Sequence, residues 1–170
     1  MRRCMQDVYG FDMSTFIQAE ATALLSAPVI TAVDRTSCLT APTLVADLDC
    51  RTMPADEARA RIIRALPFVA QKDGICHGFC FAFTVDFDPC DADEGAASSG
   101  MVGAEAKGEG LSTLPGAPLT HWKQTVVMLP EMLAASPGAR LDCTVDLRPS
   151  RENERHYEIS LSMGTAEILE

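Results

Sequence analysis

Two periods of apolar residues organise the chain, one near 3.6 residues and one of two. The first runs from Phe16 to Leu25, where Phe16, Ile17, Ala21, Leu24 and Leu25 can share one helical face. Thr15 followed by Gln18 has the form of a capping box, with Ser14 as an alternative cap, and Pro28 closes the segment. Beyond it the period changes. Leu44, Ala46 and Leu48 alternate with Val45, Asp47 and Asp49. From His77 to Phe87 the alternation is stronger: His77, Phe79, Phe81, Phe83, Val85 and Phe87 against Gly78, Cys80, Ala82, Thr84 and Asp86. This predicts one strand with an aromatic inner face and a small or polar outer face. Leu141, Cys143, Val145 and Leu147 alternate with Asp142, Thr144 and Asp146, and Tyr157, Ile159, Leu161 and Met163 with Glu158, Ser160 and Ser162. These predict two half-exposed antiparallel strands, joined by a polar turn from Arg148 to Glu154. One short helix followed by strands without intervening helices predicts a mainly β fold, a barrel or a sandwich.

Residues 88–110 break the pattern. They hold Gly95, Gly100, Gly103, Gly108 and Gly110 among small residues, which predicts a flexible loop inserted between strands. The acidic start of this loop (Asp86, Asp88, Asp91, Asp93, Glu94) lacks the glycine and terminal glutamate of a calcium-binding EF-hand at the required offsets.

The composition fits one globular domain: 170 residues, 47% hydrophobic and 22% charged. No apolar run reaches the ~20 residues of a membrane-spanning helix, so no membrane association is expected. Arg2 and Arg3 lead into Cys4, Met5, Gln6 and Asp7 rather than an apolar stretch, so no secretory signal is expected. Fourteen Lys and Arg against 24 Asp and Glu give a net charge of −10, which argues against direct nucleic-acid binding and permits a basic protein partner. Seven cysteines, an odd number at scattered spacings, suggest reduced thiols and a cytoplasmic or nuclear setting.

Few residues carry candidate chemistry. Cys76, His77 and Cys80 resemble metal ligands, but positions i and i+4 of a strand lie ~13 Å apart. That is too far for two sulfurs to reach one zinc ion at about 2.3 Å, so no metal site is expected. The chain holds no glycine-rich nucleotide loop between a strand and a helix and no Gly-x-Ser-x-Gly elbow. The strongest local feature is the stretch from Leu114 to Val127. Pro115, Gly116 and Pro118 fix an irregular lead-in, His121 stands beside the only tryptophan, Trp122, and a β-forming run follows. A histidine exchanges protons near neutral pH, and a tryptophan offers a flat face to a cation or guanidinium. By composition alone the pair also fits a core tryptophan beside a structural histidine.

Thr120-His121-Trp122-Lys123-Gln124-Thr125 resembles the signature loop of the protein arginine N-methyltransferases. Val8-Tyr9-Gly10-Phe11-Asp12-Met13-Ser14 resembles the family's passage from cofactor domain to dimerisation arm. Leu111-Ser112-Thr113-Leu114-Pro115 resembles its approach to the signature loop, and Arg148-Pro149 with Asn153 to Ile159 its penultimate hairpin. The motifs keep the family's order from about residue 7 to the C-terminus.

The resemblance implies an antiparallel β-barrel with a short helical dimerisation arm near the N-terminus. Residues 1–36 would form the linker and arm, and residues 37–170 the substrate-binding barrel. It implies a catalytic place for His121, where barrel meets cofactor domain and an acidic partner. Trp122 and Thr120 would bind substrate, Trp122 as pocket wall and Thr120 as support of the loop. Phe16, Ile17, Leu24 and Leu25 would make the dimer contact, unless the helix packs on its own barrel.

The implied reaction is methyl transfer from S-adenosylmethionine to arginine guanidino nitrogens of an arginine-rich protein. The cofactor would be bound by an N-terminal domain, whose glycine-rich motif and two-glutamate loop would precede residue 1, and not by these residues. The chain alone is expected to be inactive and to pair as a homodimer or with a methyltransferase partner subunit. The alternative is a non-catalytic barrel that regulates an active methyltransferase. Met1 to Gln6 match the family poorly, so the native start is left open.

Overall fold

The computed structural model describes residues 8–87, 109–153 and 156–164. In chain order these form α1 (Ser14–Ser26), β1 (Val29–Thr31), a 3-10 turn (Arg35–Ser37), α2 (Ala55–Ala58), β2 (Ile62–Val69), β3 (Gly74–Phe81), β4 (Thr84–Phe87), β5 (Glu109–Ser112), β6 (Gln124–Ala135), β7 (Arg140–Pro149) and β8 (Tyr157–Met163). The strands lie in three sheets, ordered β1-β6-β3, β2-β7-β8 and β4-β5. The mainly β class predicted by the pattern is therefore present. Among the described residues these three orders do not by themselves close a barrel. No helix among them is long and apolar enough to cross a membrane.

The chain divides into two regions. The first comprises the described parts of Met1–Ser37, Ile75–Val85 and Leu111–Leu133; the second, those of Cys38–Gly74, Asp86–Gly110 and Ala134–Glu170.

The second region is built on β7. Its odd-numbered residues Leu141, Cys143 and Val145 are buried and Leu147 is half-buried, as the period of two predicts. β8 pairs with β7 antiparallel, Val145 opposite Leu161 and Leu147 opposite Ile159, so both predicted strands and their pairing are found. β2 flanks β7 on the other side, with Leu66 opposite Cys143. Burying side chains such as Leu66, Leu141 and Val145 contributes about 1.5–3 kcal/mol each. The β6–β7 connection is a type II turn. Pro137 supplies the fixed φ at its second position, Gly138 the positive φ of 85° at its third, and the Ala139 amide donates to the Ser136 carbonyl at 2.9 Å.

On the exposed side of β7, Asp146 accepts from Arg61 Nε at 2.7 Å and Nη2 at 2.5 Å, and from Arg148 Nη2 at 2.9 Å. These guanidinium hydrogen bonds, Arg61's first and then Arg148's, hold the Asp146 carboxyl well below the usual carboxylate range.

In the first region β1 pairs antiparallel with β6, Val29 opposite Val126 and Thr31 opposite Gln124. β3 lies on the other side of β6. There Gly78 sits so close to the Val127 carbonyl that a Cβ would collide with it. The α1 helix ends at Ser26, and Ala27 is extended because Pro28 follows.

Several expectations are corrected. Met13 occupies the N-cap position of α1, so Ser14 and Thr15 fall inside the helix rather than at its cap. Residues 44–49 form no strand. Leu44 and Leu48 are exposed, and the segment ends in a turn around Asp49, whose carboxylate accepts from the Arg51 amide and the Thr52 hydroxyl.

The single strand expected from His77 to Phe87 is two, β3 and β4, separated at Ala82 and Phe83. Its aromatic face is not uniformly inward: Phe79 and Phe81 are half-buried, whereas His77, Phe83, Val85 and Phe87 are exposed. β2 was not expected. Of the predicted 88–110 loop, residues 88–108 lie outside the described residues, and Glu109 and Gly110 belong to β5.

Candidate functional site

The site begins where β5 ends. Thr113 is buried and faces Phe83, the residue that separates β3 from β4. The Thr113 amide donates to the Phe83 carbonyl at 2.9 Å. The Thr113 hydroxyl donates to that same carbonyl at 3.0 Å and accepts from the Phe83 amide at 2.9 Å. These bonds take the place of a regular ladder at Phe83, which is why the predicted strand breaks there.

From Thr113 the chain enters an irregular loop, residues 114–123. Its first part is a second type II turn. Pro115 and Gly116 occupy the central positions, Gly116 has φ 91°, and the Ala117 amide donates to the Leu114 carbonyl at 3.0 Å. The aliphatic stem of Arg35 lies against Gly116, 3.2 Å from where a Cβ would be. The loop rejoins the sheet at Gln124, the first residue of β6, which is also buried. Gln124 Nε2 donates to the Thr113 carbonyl at 2.6 Å, and its Oε1 accepts from the Val33 amide at 2.9 Å. The ten loop residues are thus closed at their base by one side chain.

The tip carries the three residues singled out by sequence, and the structure brings them together. Thr120 Oγ1 donates to the Trp122 carbonyl at 3.0 Å, a local bond that bends the chain around His121. The His121 and Trp122 rings lie 3.9 Å apart between centroids and are tilted by 34°. The Phe83 ring meets Trp122 edge to face, centroids 6.3 Å apart at 77°. Trp122 is 48% exposed, so it is not the core tryptophan that composition allows. His121 is exposed as well. The pair presents an aromatic surface and a titratable ring to solvent, a combination able to take a guanidinium or another cation.

Phe16, Ile17, Leu24 and Leu25 form a separate set on α1. Phe16, Leu24 and Leu25 are exposed and Ile17 is half-buried. Cys76 and Cys80 lie on β3 as expected, one buried and one exposed, and burial raises the Cys76 thiol pKa above its ordinary value. Among the described residues no group of His, Cys, Asp or Glu could hold a metal ion. Sequence reasoning missed Thr113, Gln124 and Phe83 as parts of this site. The only available signal was that a threonine and a glutamine bracket the loop symmetrically, and polar residues seldom announce burial in a sequence.

The profile of the arginine methyltransferase oligomerization subdomain matches residues 3–167. The chain is 28% identical over 180 residues to a probable protein arginine N-methyltransferase 6 of Arabidopsis thaliana, covering 95% of this chain and 41% of that protein. It is 27% identical over 158 residues to protein arginine N-methyltransferase 8-B of Danio rerio, covering 93% of this chain and 33% of that protein. A chain of the Trypanosoma brucei PRMT1 enzyme–prozyme heterotetrameric complex with AdoHcy superposes with a TM-score of 0.67 at 24% identity, covering 99% of this chain and 47% of that one. At that identity the likeness is one of fold. The chain spans less than half the length of these relatives.

Proposed function

Because the chain belongs to the protein arginine N-methyltransferase family, as its C-terminal oligomerization subdomain, we propose that it supplies the substrate-side half of such an enzyme. The reaction moves a methyl group from S-adenosylmethionine to a guanidino nitrogen of a protein arginine. It chiefly needs the arginine held in line with the methyl group and its charge balanced. In this reading Trp122 walls the arginine pocket, His121 stands at its rim towards an acidic residue of the cofactor domain, and Thr120 holds the loop. The carrying observation is the His121–Trp122 pair, in tilted ring contact and solvent-facing on a loop pinned at its base.

The cofactor does not fit the residues described. Among them, one strand is followed by an α-helix, β1 before α2, and the intervening residues 32–54 contain no glycine with which to cradle it. In this reading S-adenosylmethionine, which supplies the methyl group, is held by the family's other domain, and the chain alone is expected to be inactive. The antiparallel barrel and the cytoplasmic or nuclear setting belong to the same proposal. Phe16, Leu24 and Leu25 leave apolar surface open on α1 for a second subunit, and the net charge of −10 suits an arginine-rich protein substrate.

The test is complementation. The purified chain is mixed with a separately expressed cofactor domain, labelled S-adenosylmethionine and an arginine-rich peptide, and its oligomeric state is measured in parallel. Methylation only in the mixture, from a dimeric chain, is the expected result. A chain that neither dimerises nor complements overturns the reading. A second reading draws on the fold shared with the enzyme–prozyme complex: a non-catalytic subunit that pairs with an active methyltransferase. It predicts stimulation of an intact methyltransferase without complementation of the isolated cofactor domain.

A further inference from the structure

Gln124 and Thr113 are the two polar residues buried among those described, and both serve the same loop. The buried amide of Gln124 is used at both ends, Nε2 towards the Thr113 carbonyl and Oε1 towards the Val33 amide. Thr113 then holds Phe83 through its amide and its hydroxyl. The Phe83 ring in turn bears on Trp122, and Trp122 on His121. A continuous set of contacts runs from the base of the loop to its tip. Each hydrogen bond in it is directional, the Gln124–Thr113 bond is buried and the other side-chain bonds are partly buried, so the set fixes position as well as adding stability.

We propose that Gln124 is a positioning residue for the His121–Trp122 pair, acting through Thr113 and Phe83. The inference rests on the reading of that loop as the wall of the arginine pocket. Glutamine suits the place because it offers a donor and an acceptor on a neutral group. Glutamate would turn a carboxylate towards the Thr113 carbonyl. A thioether or aliphatic side chain would leave that carbonyl and the Val33 amide without their partners.

The chain carries its own probe, since Trp122 is its only tryptophan. Acrylamide quenching and near-ultraviolet circular dichroism of the full 170-residue chain report the ring directly, with far-ultraviolet dichroism as the check on fold. Gln124→Met and Thr113→Val should each raise the quenching constant, by up to about twofold because the ring is already 48% exposed. Thr113→Ser, which keeps the hydroxyl, should restore the parent value. Phe83→Leu added to Gln124→Met should give no further rise, since both cut the same route.

Unchanged quenching in a folded Gln124→Met chain overturns the proposal and leaves Gln124 a merely structural residue. Should that variant not fold, the Thr113 pair decides: a serine chain that behaves like the valine chain overturns it equally. The readout is optical and needs no methyl transfer. A failed complementation therefore leaves this result intact, and an unmoved Trp122 leaves complementation intact.

Discussion

The two regions are held together in opposite ways. The second region buries Leu66, Ala70, Ala135, Leu141, Cys143 and Val145 and places its charges outside, on Arg61, Asp146 and Arg148. The first buries Thr113, Gln124 and Cys76 and leaves more large apolar side chains outside, among them Tyr9, Phe11, Phe16, Leu119 and Trp122, than the second, which exposes Leu44, Leu48, Ile63, Val69, Phe87 and Tyr157. Apolar burial is non-directional, so the β2-β7-β8 sheet gains stability without needing any one side chain in a single orientation. Hydrogen bonds are directional but contribute only about 1 kcal/mol net each. A region that relies on them gains less stability and holds an irregular loop more definitely. Its exposed apolar surface is what a contact-making region would present.

That contrast can be broken at graded cost. The largest effect is expected in the apolar sheet. Leu141→Ala should cost about 3 kcal/mol in urea unfolding, since the residue is 5% exposed and its cavity cannot fully collapse. A loss under about 1 kcal/mol would mean that the second region is not held by its core. Next is Gly78→Ala, expected to cost about 2 kcal/mol because the new methyl meets the backbone carbonyl of Val127 rather than a side chain that can step aside. A neutral result there would show that β3 and β6 can separate without penalty.

The Asp146 network gives a smaller effect that fades in acid. Its folded carboxyl is depressed by Arg61 and then Arg148, so its contribution is present above the unfolded carboxylate value near ~4 and is lost as the pH falls through the folded value. Asp146→Asn should therefore lower the urea midpoint modestly near neutrality, where the network's contribution is present though screened by solvent, and converge with the parent as the pH falls below about 4, so that its acid decline is flatter. Identical acid declines in the two proteins would remove the network from the comparison. The smallest effect is expected from Leu119→Ala: at 91% exposure it should leave stability within about 0.5 kcal/mol of the parent. A clear loss of stability would mean that Leu119 is packed against its own chain in solution.

Legibility in the sequence followed the same division. β7 and β8 were readable because a one-sided apolar core imposes a strict alternation, and both strands keep it through their paired residues. The helix was readable from its apolar spacing and Pro28, although its start was not, because Met13 rather than a capping side chain stands at the N-cap. The 44–49 alternation misled because no strand among the described residues pairs with it. The His77–Phe87 alternation misled because Phe83 is engaged by Thr113, a residue thirty positions away. Thr120, His121 and Trp122 were readable only as a motif. Nothing in their periodicity foretells that a buried glutamine closes the loop beneath them, since that closure depends on which segments meet in space.

The strand that escaped notice has a consequence of its own. β2 reads poorly because Pro67 interrupts it, and proline belongs in a sheet only where one side lacks a neighbour. In the described sheet order β2 is at the edge, joined to β7 alone. An edge of unpaired amides and carbonyls is a template on which a foreign strand can add and begin an aggregate. Pro67 leaves a gap in that row of donors, and the charged Arg64 stands exposed three residues before it. The residue that conceals β2 from a pattern reader also makes its edge a poor seed for intermolecular sheet growth.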